Sequence, residues 1–204
     1  MGYAMARAAR AEGARVILVT GPVTLDAPRG IETIHVESAA DMYAATHAHV
    51  GEADIFIAAA AVADYRPANL AEHKIKKSSD TVSMELVRTD DILKSVAALD
   101  DGPFAVGFAA ETQNVRENAL KKLDKKRLDM IIANRVGAEE GFDLDENTVC
   151  VYWADEHRAF PTAAKTELAQ DLVEVIAERY VAERGADQPE SGAPVVQLHE
   201  KASK

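Results

Sequence analysis

The chain of 204 residues is long enough for one α/β domain with a substantial core. Its formal net charge of −11 and pI near 5.0 argue against a protein that binds nucleic acid through a basic surface. The single cysteine, Cys150, excludes an internal disulfide framework, and no apolar run approaches the roughly twenty residues that span a membrane. We therefore expect a cytoplasmic protein that contacts neither nucleic acid nor a membrane.

The first predicted elements are a helix over residues 2–13, which Gly13 ends, and a buried strand over residues 15–20. A βαβ unit needs a strand before that helix, together with a phosphate-binding turn, and neither is present ahead of Met1. The pattern predicts that the chain begins inside such a unit, either as a fragment or because its first residues were not kept.

The second strand ends in Thr20-Gly21-Pro22, where a dinucleotide-binding Rossmann unit would carry an acidic residue for the ribose hydroxyls. No G-x-G-x-x-G motif is present either, and both observations weigh against an NAD enzyme. A short third strand follows over residues 34–37. Ser38 and Asp41 then have the spacing of a capping box for a helix that runs to about Val50.

The stretch from residue 54 to residue 77 carries the strongest indications of a binding site. The apolar run Ile55–Ile57 predicts a strand buried on both faces, and Ala58–Ala61 follow at the point where this strand ends. Such small side chains allow a ligand to approach the backbone, and Asp64–Arg66 add an acid, an aromatic ring and a base. The cationic cluster His73–Lys77 suits a polyphosphate. The alternative is a polar turn that merely ends a strand.

Further elements alternate in the manner of an α/β domain. Thr81–Val87 predicts a half-exposed strand that could form a hairpin flap with residues 74–80. Asp90 is the predicted cap of a helix of about ten residues, Phe104–Phe108 is a buried strand, and Thr112 is the predicted cap of a helix that runs to Lys126.

Four lysines lie near the end of that second helix. Lys122 and Lys126 fall beside its apolar residues, whereas Lys121 and Lys125 point away from them. This bias indicates a functional pair, although lysines that close a helix also complement its dipole without any further role.

The last predicted elements are a strand over residues 129–134, a hairpin over residues 148–160 that buries Cys150, and an amphipathic helix over residues 162–184. The side chains of this helix that face the core are Leu168, Leu172, Val175, Ile176 and Tyr180. The composition of residues 185–204 indicates a disordered tail. We predict one three-layer Rossmann-like α/β domain over residues 1–184, with a mainly parallel sheet, a β-hairpin flap and dimerisation strands.

Five segments resemble the phosphopantothenate–cysteine ligase family, in the order that the family has them: AAAAVADYRP, EHKIKK, RTDDIL, VGFAAET and KKLDKKRLDMIIAN. The resemblance extends from Gly2 to about Arg184. In bacteria this ligase is the C-terminal half of a bifunctional coenzyme A biosynthesis protein, whose other half is a flavin-dependent phosphopantothenoylcysteine decarboxylase.

The resemblance implies a ligation in two steps. The carboxylate of 4′-phosphopantothenate attacks the α-phosphate of CTP, which gives an acyl-cytidylate and pyrophosphate, and the amine of L-cysteine then displaces CMP. Mg²⁺ is expected because charge develops on the phosphates during the transfer. The resemblance also implies a homodimer formed through sheet edges, for which the exposed face of residues 81–87 is suited.

The resemblance further implies which residues form the site. The nucleotide residues are Ala58, Ala59, Ala60, Asp64, Lys74, Asp90, Asp91, Ile92, Leu93, Phe108, Lys122 and Lys126. Ala60 and Ala61 lie where the family holds phosphopantothenate, and Lys74 is the expected catalytic residue. No metal ligand is assigned.

Two features of the chain do not follow simply from the family pattern. Lys122 and Lys126 lie at the far end of a helix that should lead away from the strand ends, so we expect a short helix or a bent exit. The family's phosphate-binding loop would precede Met1, and without it we expect CTP binding with poor turnover.

Two other classes of protein remain as alternatives. One is an NAD(P)-dependent reductase on a Rossmann fold, which the Thr20-Gly21-Pro22 strand end disfavours. The other is a non-catalytic nucleotide-binding or assembly module, since the lysine flap could dock an acidic partner.

Overall fold

Helices and strands alternate along most of the chain, in a computed structural model that describes residues 1–69, 73–74, 81, 83–135, 146–154 and 156–185. The elements are α1 (Gly2–Ala11), β1 (Ile17–Thr20), β2 (Glu32–His35), α2 (Ala39–His49) with a 3₁₀ turn (Val50–Glu52), β3 (Ile55–Ala58), β4 (Tyr65–Pro67), β5 (Leu86–Arg88), α3 (Ile92–Ala97), β6 (Phe104–Glu111), α4 (Val115–Lys126), β7 (Met130–Arg135), β8 (Glu146–Trp153), β9 (Glu156–Ala164) and α5 (Lys165–Arg184). Among these elements, no helix is long and apolar enough to cross a membrane.

The central sheet has five strands in the order β3-β6-β7-β8-β9. β3, β6 and β7 pair in parallel, whereas β8 is antiparallel to both of its neighbours. β8 is therefore the strand of this sheet that runs against the others. β1 and β2 form a separate parallel pair, and β4 and β5 an antiparallel pair. The predicted, mainly parallel sheet is confirmed.

The two faces of the sheet hold two separate hydrophobic cores, because successive strand residues point to opposite faces. The first core lies under α1 and α5, and β6 contributes Phe104 and Val106 to it. The second lies under α3 and α4, and β6 contributes Ala105 and Ala109. Helices on both faces make three layers, so the predicted layer arrangement is also confirmed.

Gly107, which pairs with Ala58 of β3, has no side chain on the face of the sheet that carries the second core. A Cβ at this position would lie 2.8 Å from Leu93 Cδ2 and 2.9 Å from Leu128 Cδ1. The missing side chain therefore lets α3 approach the carboxyl end of the sheet, where Asp91 begins that helix.

Local patterns predicted several elements correctly. Ser38 Oγ accepts the Asp41 N–H at 3.1 Å and the Asp41 carboxylate accepts the Ser38 N–H at 3.0 Å, which is the expected capping box. On α5, the predicted residues Leu168, Leu172, Val175 and Ile176 are buried, and Tyr180 is partly buried against the same core.

Helix ends differ from the sequence-based expectations. Asp91, not Asp90, caps α3, which has six residues rather than about ten because the chain turns towards Gly102 and Pro103. Asn114 precedes α4 in a left-handed conformation, so Thr112 is not its cap. β9 extends to Ala164 because it stays paired with Glu146 of β8, which delays α5 to residue 165.

The predicted strand Thr81–Val87 is also shifted. Its observed form is β5, and its partner is β4 rather than a flap strand from residues 74–80, most of which lie outside the described part of the chain. The predicted disordered tail falls almost wholly outside it as well. Cys150 is half-buried against the second core rather than fully buried.

Candidate functional site

The first part of the candidate site is the exposed end of β3. Ala58 and Ala59 are half-buried, whereas Ala60 and Ala61 are exposed. A Cβ at Gly2 would lie 3.5 Å from the Cβ of Ala59, so α1 begins beside this strand end. The exposed part of this alanine run therefore lies just beyond the end of β3.

The β4–β5 ladder joins this strand end to the segment that leads into α3. Thr89 donates its N–H to the Asp64 carbonyl at 3.0 Å and its hydroxyl to the Ala63 carbonyl at 2.6 Å. The Arg88 guanidinium lies 5.9 Å from the centroid of the Tyr65 ring. Two predicted site segments, around residues 58–64 and 90–93, are thus held next to each other.

Asp91 forms the second part of the site, and its two carboxylate oxygens contact a helix start and a lysine. Oδ1 accepts the Lys94 N–H at 3.1 Å, and the Lys126 ammonium lies 2.9 Å from each oxygen. Partial burial alone would raise the pKa of Asp91, but the contacts with Lys126 and Lys94 lower it below its ordinary value. The carboxylate is therefore ionised at neutral pH and fixes Lys126 against α3.

Lys122 forms the third part, at the carboxyl end of β6. Its ammonium donates to Glu111 Oε1 at 2.6 Å, and Asn118 Nδ2 donates to Glu111 Oε2 at 2.9 Å. Glu111 is the last residue of β6, so this contact places the lysine at the strand ends.

The length of the lysine side chain explains how Lys122 and Lys126 reach Glu111 and Asp91 although both lysines lie near the far end of α4. Side chains of an α-helix tilt towards its N-terminus, and a lysine stem adds several ångströms in that direction. The Lys122 ammonium therefore reaches the end of β6, and the Lys126 ammonium reaches the start of α3, from a helix of twelve residues, and no bent exit is needed. Lys121 lies on the outer surface, where it pairs with Glu117, as the helix pattern predicted.

The other predicted residues have mixed placements. Ile92, the first residue of α3, is buried, and Leu93 is half-buried near Gly107. Phe108 is half-buried on the opposite face, against the first core. Lys74 is exposed, and no hydrogen bond or ion pair among the described residues joins it to the end of β3.

Glu111 and Asn118 belong to the site geometry, although the sequence pattern did not single them out. Asn118, Lys122 and Lys126 follow at intervals of four residues, which is one face of a helix. Glu111 follows the small residues Ala109 and Ala110, in the same way that Asp64 follows the alanines after β3. These two signals together could have identified the pair.

The arrangement has the properties of an anion site. The Lys122 ammonium lies at the carboxyl end of β6 and the Lys126 ammonium at the start of α3, and ligands in open α/β sheets bind outside the carboxyl ends of the strands. Within the described residues, no three His, Cys, Asp or Glu side chains are grouped as a metal site would require.

Residues 1–180 match the family described as DNA/pantothenate metabolism flavoprotein C-terminal domain. The chain belongs to this family. It is 46% identical over 180 residues to the coenzyme A biosynthesis bifunctional protein CoaBC of Vibrio vulnificus, covering 86% of this chain and 45% of that protein. The CoaBC protein of Bacillus subtilis is also 46% identical over 180 residues, covering 87% of this chain and 44% of that protein. The chain thus spans under half the length of these relatives.

Solved structures in the family share the fold. The crystal structure of the C-terminal domain of a CoaBC protein superposes with a TM-score of 0.74 at 37% identity, covering 89% of this chain and 82% of that chain. The DNA/pantothenate metabolism flavoprotein from Streptococcus pneumoniae superposes with a TM-score of 0.69 at 19% identity, covering 86% of both chains, and supports the fold alone. The resemblance and the fold class predicted from sequence are confirmed.

Proposed function

We propose that this chain is the phosphopantothenate–cysteine ligase part of a coenzyme A biosynthesis protein, and that it uses CTP. The 44–46% identity to CoaBC proteins, whose C-terminal domain has this fold, supports the assignment. The structural observation that carries it is that Glu111 holds the Lys122 ammonium at the carboxyl end of β6 while Asp91 holds the Lys126 ammonium at the start of α3.

In this proposal the nucleotide lies across the carboxyl ends of β3 and β6. The small side chains of Ala58, Ala59 and Ala60 let its phosphates approach backbone N–H groups, and the lysines of α4 balance its charge. Phosphopantothenate lies beside Ala60 and Ala61. Asp64 and the residues that begin α3 complete the nucleotide pocket, since the β4–β5 ladder holds these segments together.

The chemistry proceeds by two displacements. A carboxylate oxygen of 4′-phosphopantothenate forms a bond to the α-phosphorus, and the bond from that phosphorus to pyrophosphate breaks. The amine of L-cysteine then attacks the acyl carbon, CMP leaves with the former carboxylate oxygen, and the nitrogen loses a proton. A bound Mg²⁺ would neutralise charge on the phosphates.

Calorimetric titration tests the nucleotide assignment. CTP with Mg²⁺ should bind to the chain, whereas ATP, NAD and NADP should bind at least about tenfold more weakly. Equal affinity for CTP and ATP would contradict the assignment. Preference for NADP would instead support a reductase, and binding of no nucleotide at all would favour a docking module.

Lys74 is proposed as the catalytic residue, whose ammonium stabilises the charge that develops as the carboxylate attacks the α-phosphate. A single preorganised donor of this kind is worth about 10²–10³ in rate. In a version of the protein that includes the family's phosphate-binding loop, Lys74→Gln should therefore slow acyl-cytidylate formation by about that factor. Rapid-quench measurement should show little effect on the attack of L-cysteine on supplied acyl-cytidylate. Equal slowing of both steps, or of neither, would remove Lys74 from this role.

We also propose that the ligase acts in the cytoplasm as a homodimer. The exposed apolar side chains Tyr65, Met84 and Leu86 lie on or next to the β4–β5 pair and support an interface there. Light scattering of the wild-type chain and of Leu86→Glu should show a dimer and a monomer, respectively. A monomeric wild type would contradict this part of the proposal.

A further inference from the structure

The ion pair between Lys122 and Glu111 has one buried and one open partner. The Glu111 side chain is 15% exposed, whereas that of Lys122 is 45% exposed. On the outer surface of the same helix, Lys121 and Glu117 form an ordinary surface pair with exposures of 69% and 64%. The inner pair therefore joins a largely buried glutamate side chain to a lysine side chain that is partly exposed.

The Glu111 carboxylate is held from several directions. Its backbone belongs to β6 and is in register with Arg135 of β7, so the residue cannot move independently of the sheet. Asn118 holds one oxygen, and the same Asn118 amide nitrogen lies 3.1 Å from the Gln113 carbonyl oxygen. The other oxygen takes up only one of the three N–H groups of Lys122. No other acceptor among the described residues bonds this ammonium, so two donors remain for a ligand.

We propose that Glu111 is a positioning residue that holds the Lys122 ammonium where it meets the nucleotide phosphates. The inference rests on the proposed function, since it concerns the same nucleotide site, and Glu111 itself touches no ligand. A free lysine side chain loses considerable rotamer entropy when it binds a phosphate. The contact with Glu111 imposes that order before the nucleotide arrives, so binding loses less.

A carboxylate near a triphosphate also repels it, so the two effects of Glu111 on affinity oppose each other. Hydrogen bonds from Asn118 and Lys122 offset much of the Glu111 charge. The positioning effect therefore prevails in this proposal, and removal of the charge should weaken nucleotide binding rather than strengthen it.

The test is a double-mutant cycle in the affinity for CTP with Mg²⁺, measured by calorimetry. Glu111→Gln should weaken binding about three- to tenfold, which corresponds to one side chain left to be ordered. Lys122→Gln should weaken it by at least about tenfold, and Glu111→Gln should then add no further loss in the Lys122→Gln background. The matched control Glu117→Gln, which breaks the outer pair, should leave the affinity unchanged.

Several outcomes would overturn the proposal. Unchanged or tighter binding by Glu111→Gln would show that the carboxylate does not help the lysine. A full additional loss in the Lys122→Gln background would show that Glu111 acts through the fold, as a merely structural ion pair would. Should Glu111→Gln fail to fold, Asn118→Ala, which frees the carboxylate, must weaken binding in its place.

The same experiment separates this inference from the proposed function. Wild-type chain that binds no CTP would overturn both. Wild-type chain that binds CTP, together with unchanged affinity in Glu111→Gln, would overturn the positioning role alone.

Discussion

The two faces of the central sheet are packed in different ways. The core under α1 and α5 contains the large side chains Phe104, Met130, Trp153 and Leu172. The core under α3 and α4 combines the large side chains Ile131 and Tyr152 of the sheet with the small residues Ala105, Ala109 and Ala133. The difference indicates that the first face supplies most of the hydrophobic stabilisation, whereas the second holds two helices close enough for their polar side chains to meet at the strand ends.

The largest expected effect tests the first half of this comparison. Leu172 of α5 is fully buried in this core. Leu172→Ala should therefore lower the free energy of unfolding by about 2–5 kcal/mol, through lost burial and the cavity that remains. Urea denaturation measures the change. Val181→Ala on the same helix is the control, because Val181 is 63% exposed and should change little. Similar losses for both variants would refute the assignment of this core.

A pair of overpacking variants tests whether the two faces have separate roles. Ala119 of α4 and Ala169 of α5 are both fully buried, one in each core. Leucine at either position should lower the free energy of unfolding by about 1–3 kcal/mol. Ala119→Leu should also weaken CTP binding about three- to tenfold, because it moves the helix that carries Lys122.

Calorimetry under conditions where both variants are folded separates these effects. Ala169→Leu should keep the wild-type affinity for CTP despite its lower stability. Equal loss of affinity in the two variants would mean that the faces are not independent.

The smallest effect is expected in the pH dependence of stability, for which Asp91 and Asp129 should behave in opposite ways. The folded-state pKa of Asp91 is lowered by its contacts with Lys126 and Lys94 despite partial burial, so its stabilisation is complete above the unfolded value of about 3.9. That stabilisation disappears as the pH falls through the folded-state pKa. Asp91→Asn keeps a capping side chain and should lose under about 1 kcal/mol at pH 7, since solvent screens the pair. Urea denaturation between pH 7 and pH 3 should show a shallower acid loss than in the wild type.

The pKa of Asp129 is shifted in the opposite direction. Burial raises its pKa, so its charged form is disfavoured in the folded chain and its contribution improves as the pH falls. Asp129→Asn should therefore make the acid loss steeper, whereas Asp91→Asn makes it shallower. Changes of the same sign in both variants would contradict these assignments.

Features encoded locally were predictable from the sequence. The capping box of Ser38 and Asp41 and the core face of α5 depend on residues three or four apart, and both were predicted correctly. The extension of β9 to Ala164 was missed because it depends on pairing with β8, which is remote in sequence. Tertiary pairing there overrode the helical pattern.

The candidate site likewise contains features that were predictable from local sequence and features that were not. The alanines after β3 and the inward face of Lys122 and Lys126 were predicted from strand ends and helical spacing. Asp91 was also among the expected site residues, but its contact with Lys126 and the contact of Lys122 with Glu111 were not predicted, because each depends on how far a long side chain reaches across the gap between elements. Spacing gives the direction of a lysine stem but not the atom at which it ends.

The antiparallel pairing of Tyr65–Pro67 with Leu86–Arg88 has a consequence for how this protein can vary. The ladder joins the two ends of the stretch between Pro67 and Leu86, over half of which lies outside the described residues. The length of such a loop affects folding mainly through closure entropy, and each doubling costs only about 0.6 kcal/mol. Lys74 lies inside this loop, whereas Asp64 and Asp91 lie outside it. Insertions and deletions between the two strands can therefore alter the segment that carries the proposed catalytic lysine while the paired strands and the residues outside them keep their places.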